Sequence, residues 1–167
     1  MTDSDLLRWQ SEFGHWVARL ADTHDSVRFT VGHRLRDWRR ADTVAVRVVI
    51  EMLHRPKVFR YQGLPYAGRI ATLAERFIAS QQRDEDIPEW SVLVDYLDRM
   101  PPHLRAVHVA AYVHGLDDGT IASAAQVSAG TVAGWRTDVE TYLFPPSFDH
   151  HNGKGYEIPE RICNGFS

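Results

Sequence analysis

Apolar side chains recur at steps of three and four residues along most of this chain, whereas the strict alternation of half-buried β-strands is nearly absent. That spacing places the apolar groups on one face of an α-helix, which must be buried against other helices. At 167 residues, the chain is long enough for one domain or for two small ones with real cores. The pattern therefore predicts an all-α fold.

The first half of the chain is predicted to form four helices. Short polar side chains favour helix starts because they accept hydrogen bonds from the first free N–H groups, and proline fits the first turn. The fourth helix is predicted to run to about Gln82, and the segment RPKVFRYQGLP before it is predicted to be a structured loop. The predicted starts of the four helices are Ser4 or Asp5, Asp25 or Ser26, Asp42, and Pro65.

The polar, acidic stretch QQRDEDIPEW interrupts the helical pattern and is broken by Pro88, which indicates a short linker. Beyond it, a fifth helix is predicted around Trp90 and a sixth from Pro101 to Gly115. The last residues have no helical period and are rich in Pro, Gly and Asn. The predicted division is one helical domain at 1–83, a linker at 84–89, a second helical domain at 90–144 and an irregular tail at 145–167.

The segment from Ile121 to Arg136, IASAAQVSAGTVAGWR, has the spacing of a helix-turn-helix, although the same spacing is common in other helical hairpins. In a helix-turn-helix, a first helix braces a second one that enters the major groove of DNA. Asp117 or Asp118 can cap the first helix, and Ser128 can cap the second, which leaves backbone N–H groups for a phosphate. The predicted shared core is Ile121, Ala124, Val127 and Val132.

The net charge of −3 conceals an asymmetry between the two halves. Residues 1–88 hold 14 Lys and Arg against 12 Asp and Glu, whereas residues 89–167 hold 5 against 10. The strongest local excess is at residues 28–60, with nine basic side chains against three acidic ones. A polyanion would be attracted there, and a solvated basic helix face is the alternative interpretation.

Two blocks of the sequence resemble the small, two-domain extracytoplasmic-function sigma factors of bacterial RNA polymerase. The block LDRMPPHLRAVHVAAYVHGLDDGTIASAAQVSAGTVAGW is similar to the C-terminal, −35-reading domain of that family. The block ADTVAVRVVIEMLHRPKVFRYQGLPYAGRIATLAERFIASQQR is similar to its N-terminal domain. The blocks stand in the family's order, and the resemblance covers roughly residues 10–143.

The resemblance implies an N-terminal four-helix domain that binds RNA polymerase core and melts the −10 element, and a C-terminal domain that reads the −35 element of promoter DNA. Such a protein regulates transcription initiation without catalysis or a cofactor, and an anti-sigma or other regulatory protein is a further candidate partner. The predicted DNA-binding residues are Lys57, Arg60, Tyr61, Tyr66, Arg69, Ser128, Thr131 and Arg136. The predicted polymerase-binding residues are Arg40, Asp42, Arg47 and Glu51.

The loop before the fourth helix supports nucleic-acid binding on its own chemistry. Phe59, Tyr61 and Tyr66 can stack on unpaired bases, while the cations around them hold the backbone. The alternative is that Phe59 and one tyrosine are core residues.

The sequence departs from the family pattern where contacts are expected. After GTV, the family usually has a basic or polar triplet, whereas this chain has Ala133, Gly134 and Trp135. The acidic Asp138 and Glu140 follow, and they oppose attraction to phosphates. In the third helix, Arg40 and Val46-Arg47 stand where the family prefers acidic and glutamine residues. The alternative is therefore a degenerate sigma homologue that acts as a protein-binding adaptor, through a dimer or a partner interface.

Other classes of function receive little support from the residues. Nucleotide-binding glycine loops, nucleophile–base motifs and metal-ligand spacings are not found, and His103, His108 and His114 are predicted to be isolated surface or edge residues. A lone cysteine, Cys163, excludes an internal disulfide. Because the sequence shows neither a signal peptide nor an apolar run of membrane-spanning length, we expect a cytoplasmic protein that is not bound to a membrane.

Overall fold

The computed structural model describes residues 3–59, 68–80 and 87–143, and each regular element in these ranges is a helix. The all-α prediction is therefore confirmed. None of the helices in these ranges combines the length and the apolar character that a membrane crossing requires. The elements are α1 (Asp3–Leu35), α2 (Trp38–His54), α3 (Pro56–Phe59), α4 (Gly68–Ala79), α5 (Trp90–Asp98), α6 (Pro102–Val107) with a π-helical turn (His108–Val113) that continues it, α7 (Asp118–Ala125) and α8 (Ala129–Leu143).

The first two predicted helices are one continuous helix, α1, so the predicted helix start at Asp25 or Ser26 is wrong. The Asp25 carboxylate does not cap a helix; it accepts a hydrogen bond of 3.0 Å from Nδ1 of the neighbouring His24. Two apolar stripes that look separate in the sequence join into one buried face. That face crosses the predicted break through Leu20, Thr23, His24, Val27 and Val31.

Helix α2 begins at Trp38, four residues before the predicted start at Asp42. Its N-cap is Asp37, whose carboxylate accepts a hydrogen bond from the Arg40 backbone N–H at 3.0 Å. The sequence pattern favoured Asp42 because the apolar stripe of α2 becomes clear only at Val44. The capping rule was therefore right, and the capping residue was wrong.

The predicted loop before the fourth helix contains the short helix α3, with Pro56 at its first position, which suits proline. Phe59 is 1% exposed, so it is the core residue that the alternative interpretation described. Helix α4 is described from Gly68 and ends at Ala79, short of the predicted end. The predicted start at Pro65 lies outside the described residues.

The chain divides into two compact units. The central unit is Val17–Asp95, and the terminal unit combines Met1–Trp16 with Tyr96–Ser167. Helix α1 therefore contributes its first part to the terminal unit and the rest to the central unit. Domain boundaries at 83 and 90 were predicted from composition, which carries no information on which distant segments pack together.

The core of the central unit is built on α2, which packs against α3 and α4. Arg40 fixes the end of α4, because its guanidinium donates hydrogen bonds to the backbone carbonyls of Ile78 and Ser80. Those carbonyls lie at a helix end and have no partner within the helix. The buried residues of α2 are Ala41, Val44, Ala45, Val46, Val48, Val49, Met52 and Leu53, and those of α4 are Ile70, Leu73 and Ala74.

The core of the terminal unit is organised by two tyrosines. The rings of Tyr96 and Tyr142 stack with their centroids 4.3 Å apart, and both side chains are at most 1% exposed. Each hydroxyl donates a hydrogen bond to the backbone carbonyl of the other residue, with the Tyr96 hydroxyl 2.5 Å from its acceptor. Two buried hydroxyls are thereby satisfied, and the end of α5 is tied to the end of α8.

His108 is buried, with 1% of its surface exposed, so its prediction as a surface or edge residue is wrong. It starts the π-helical turn, in which the His114 N–H donates to the Val109 carbonyl five residues back. A face assigned by α-helical period therefore fails beyond this point. The His108 ring stands edge-on to Phe13 at 5.7 Å, and neither ring nitrogen has a hydrogen-bond partner among the described residues.

The burial of His108 predicts that the terminal unit loses stability in mild acid. Burial lowers the pKa of His108 from its ordinary value of 6.5 to about 4, because the apolar surroundings disfavour the charged ring. Between these values the unfolded chain binds the proton and the folded chain does not. Stability should be complete above pH 6.5 and fall by about 3 kcal/mol on acidification to pH 4.

The measurement is urea unfolding of the parent and of His108→Phe across this pH range. The variant lacks the titrating ring, so its stability should decline less steeply than that of the parent. Parallel curves for the two proteins would contradict the assignment.

Candidate nucleic-acid interface

Helices α7 and α8 lie where the helix-turn-helix was predicted, and their ends use the predicted caps. The Asp117 carboxylate accepts a hydrogen bond from the Thr120 N–H at 2.7 Å, and Ser128 Oγ accepts one from the Thr131 N–H at 3.1 Å. Gln126 closes α7 in the left-handed conformation, with φ 58°. The predicted shared core holds: Ile121, Ala124 and Val132 are buried and Val127 is half-buried.

The exposed face of α8 offers little to hold a phosphate. Its one basic residue, Arg136, donates a hydrogen bond of 2.9 Å to the Asp118 carboxylate, and its guanidinium lies 5.5 Å from the centre of the Tyr112 ring. The bond to Asp118 also raises the pKa of Arg136 above its ordinary value. The Ser128 and Thr131 hydroxyls are 2.9 Å apart and bond to each other. The one basic side chain of the predicted recognition helix and the two hydroxyls at its start thus have partners within the terminal unit.

Trp135 is the last residue of the triplet on α8 at which the sigma family usually has basic or polar side chains. Its ring centroid lies 5.3 Å from that of His103, and the side chain is half-buried. Burial by its surroundings lowers the pKa of His103. The tryptophan therefore contributes to packing within the terminal unit.

The four predicted polymerase-binding residues lie on α2, and each has a partner within the central unit. Arg40 holds the carbonyls at the end of α4, as described above. The Arg47 guanidinium lies 5.5 Å from the centre of the Phe77 ring. The other two are acidic: Asp42 pairs with Arg28, and Glu51 pairs with Arg55 at 2.9 Å.

The predicted loop site is only partly described. Lys57 on α3 and Arg69 on the first turn of α4 are both exposed. Arg60, Tyr61 and Tyr66 lie outside the described residues.

An exposed aromatic surface at the turn between α1 and α2 was missed by the sequence reasoning. Phe29 is 64% exposed and Trp38 is 41% exposed, with the exposed His33 between them. The His33 centroid lies 4.4 Å from that of Phe29 and 5.0 Å from that of Trp38. One signal was available, because Phe29 falls outside the spacing of the buried valines, Val27 and Val31.

A groove of about 830 Å³ lies in the central unit near this turn. Arg28, Arg39 and Arg40 contribute to its lining, together with His24 and Trp90, whose rings stack at 4.1 Å and 10°. Arg28 also lies over the Trp38 ring, 4.9 Å from its centre. The groove therefore adjoins the aromatic surface through a shared arginine. Its acidic lining residues are Asp37, Asp42 and Glu89.

The two units differ in charge. Among the described residues, the central unit holds eleven Lys and Arg against eight Asp and Glu, whereas the terminal unit holds four against eight. A polyanion is therefore attracted to the unit that carries the aromatic surface, and it is repelled by the unit that carries α7 and α8.

Comparison of the chain with protein-family models, with curated proteins and with solved structures found no match. The function of the protein is therefore inferred from the side-chain geometry and the charge of its two units.

The position of Trp38 depends on a glycine, which gives a test of the aromatic surface. A Cβ added to Gly32 in α1 would lie 2.2 Å from the Trp38 ring, whereas one added to Gly14 in the same helix meets nothing within 4 Å. Ala gains about 1 kcal/mol over Gly in a helix interior. Gly14→Ala should show this gain in thermal unfolding, and Gly32→Ala should not, because the ring must move. Equal gains would show that Trp38 does not pack on Gly32.

Proposed function

We propose that this protein is a sigma-type transcription regulator that binds RNA polymerase core and promoter DNA. The observation that carries the proposal is the capped pair α7–α8, with Gln126 in the left-handed conformation between the helices and a small buried core shared by them. This geometry suits a helix-turn-helix. It is supported by the order of the two sequence blocks that resemble the sigma family.

The charge distribution suggests what each of the two units contributes to DNA binding. Lys57 and Arg69 are exposed in the basic central unit and can meet the DNA backbone. Helix α8 adds Ser128 and Thr131 at its N-terminus, where backbone N–H groups favour a phosphate. The central unit then supplies most of the attraction to DNA. Helix α8 positions the protein on the duplex more than it adds to the affinity.

A specific observation favours the second candidate, a degenerate sigma homologue that acts as a protein-binding adaptor. Arg136 is paired with Asp118, and the predicted polymerase-binding residues have partners within the chain. If these contacts persist in the complexed protein, promoter reading by α8 is lost. The exposed hydrophobic side chains then serve a protein partner.

Reconstitution with bacterial RNA polymerase core separates the two candidates. The sigma-type proposal expects the purified protein to co-elute with core and to support run-off transcription from a subset of genomic promoter fragments. The adaptor expects binding of protein partners without initiation. Failure to bind core, together with no promoter shift at low salt, would overturn the sigma-type proposal.

A substitution at Asp118 tests whether α8 reads DNA. Asp118→Asn removes the charge that holds Arg136, so the guanidinium becomes available to a phosphate. The side chains of Arg136 and Asp118 are 37% and 32% exposed, so the loss of fold stability should be small, at most about 1 kcal/mol. Under the sigma-type proposal, affinity for a promoter duplex should rise several-fold at low salt, and the salt dependence should steepen by about one released ion.

The matched control is Asp5→Asn, which removes a paired carboxylate from α1 in the same unit. It changes net charge by the same amount and should leave duplex affinity nearly unchanged. Equal effects of the two substitutions would mean that net charge alone acts, and that α8 makes no contact with DNA.

A further inference from the structure

The turn between α1 and α2 carries three neighbouring aromatic rings, Phe29, His33 and Trp38, which together we call the aromatic turn surface. Phe29 exposes 64% of its surface and Trp38 exposes 41%, which are large fractions for side chains of this size. Exposed aromatic groups cost free energy in water, so a cluster of them indicates a surface that is covered in use.

Two arginines at this turn have no ion pair or hydrogen bond through their side chains to any described residue. They are Arg36, in the connection between the helices, and Arg39, in the first turn of α2. Both are exposed. Two carboxylates that line the groove with Arg39 are already engaged, because Asp37 caps α2 and Asp42 pairs with Arg28. The aromatic turn surface therefore combines exposed rings with two cations that are available to an anionic partner.

Arg36 holds this position at a conformational cost. Its φ is 53°, in the left-handed region that glycine occupies readily and that side chains with a Cβ disfavour. Glycine is the usual residue at the end of a helix in this conformation. An arginine that holds a strained position and has no partner within the described chain suggests a role for its charge.

The Trp38 ring of the aromatic turn surface is held in place before any partner arrives. Trp38 packs on the backbone of Gly32, where no Cβ could fit, and Arg28 lies over its ring at 4.9 Å. The N-cap of Asp37 fixes the start of α2 beside it. Fixed rings lose little entropy when a flat group stacks on them.

We propose that the aromatic turn surface binds single-stranded nucleic acid. Unpaired bases stack on Phe29 and Trp38, and backbone phosphates pair with Arg36 and Arg39. Stacking platforms combined with cations are the usual means by which proteins hold single strands, because every base has an aromatic face. The inference rests on the proposed function in one respect, namely that the strand belongs to an opened promoter or to a transcript. The chemistry of the surface does not depend on that function.

The groove in the central unit favours an extended strand, rather than a single nucleotide, as the ligand. Arg39 belongs to the aromatic turn surface and also lines the groove, and Arg28 joins the groove to Trp38. A strand stacked on the rings can therefore continue beside further arginines. An acidic peptide would pair with the same cations, but its carboxylates would not stack on Phe29 and Trp38, so the rings favour nucleic acid.

The test is fluorescence anisotropy with the full chain and labelled twelve-nucleotide probes. The probes are single-stranded DNA, single-stranded RNA, the matching duplex, and an abasic strand that keeps the phosphates and lacks the bases. We expect the single strands to bind, and the abasic strand to bind at least tenfold more weakly. The DNA and RNA arms identify which source the surface prefers. Equal binding of the abasic strand would overturn stacking.

Variants then locate the site. Phe29→Ala and Trp38→Ala should each weaken binding about tenfold. Arg36→Gly removes a cation and relaxes the backbone at the same position, so it should weaken binding and lower the salt dependence while the unfolding midpoint stays equal or rises. This variant keeps the test valid if Trp38→Ala folds poorly. The control variant is Val92→Ala, an exposed apolar residue of the same unit, and Lys57→Ala tests the predicted loop as the competing site.

The outcomes separate this inference from the proposed function. Full binding by Arg36→Gly and Phe29→Ala, with loss in Lys57→Ala, would move the strand to the loop and overturn the inference, whether or not the protein binds polymerase. Single-strand binding that depends on Phe29 and Arg36, in a protein that neither binds core nor starts transcription, would sustain the inference and overturn the sigma-type function. Displacement of the strand by poly-glutamate as efficiently as by the unlabelled strand would assign the surface to acidic protein segments and overturn the inference.

Discussion

Burial of one long face of α2 is the constraint on which the central unit depends. Eight of its side chains are buried, so its charged residues share the remaining arc of the helix. Arg40, Asp42 and Arg47 then lie close to groups on neighbouring elements and engage them, and Glu51 pairs with Arg55 at the end of α2 itself. The first turn of α2 carries the exposed Trp38 and Arg39. The core thus determines which charges are used internally and which face solvent.

The sequence predicted the features that depend on local physics. The helical period, the Asp117 and Ser128 caps and the small core around Ile121 all follow from residues within a few positions of one another. The errors concern distant contacts. The continuity of α1 depends on what covers His24, and the burial of His108 depends on a π-helical turn packed against Phe13. Neither contact is visible in a periodicity.

The candidate site shows the same division. Basic charge in the first half of the chain was read correctly, and its excess lies in the central unit among the described residues. The sequence could not predict which charged side chains form ion pairs. The sequence predicts Arg136 as a DNA contact and does not reveal its pairing with Asp118, whereas Arg36 belongs to no motif and its side chain has no partner within the described residues. Whether a cation is available to a ligand is a property of its surroundings, so motif spacing alone could not rank these arginines.

The division of the terminal unit between the two ends of the chain has a consequence for its synthesis. Phe13 leaves the ribosome early, whereas His108, against which its ring packs, follows 95 residues later. The central unit lies wholly between these segments, so it can close while the first turns of α1 still lack their neighbours. Trp9, Phe13 and Trp16 are buried in the folded protein, whereas in the nascent chain they are exposed to water until the terminal unit folds. The order in which the segments leave the ribosome, as well as the stability of the folded protein, therefore affects whether the chain folds correctly during synthesis.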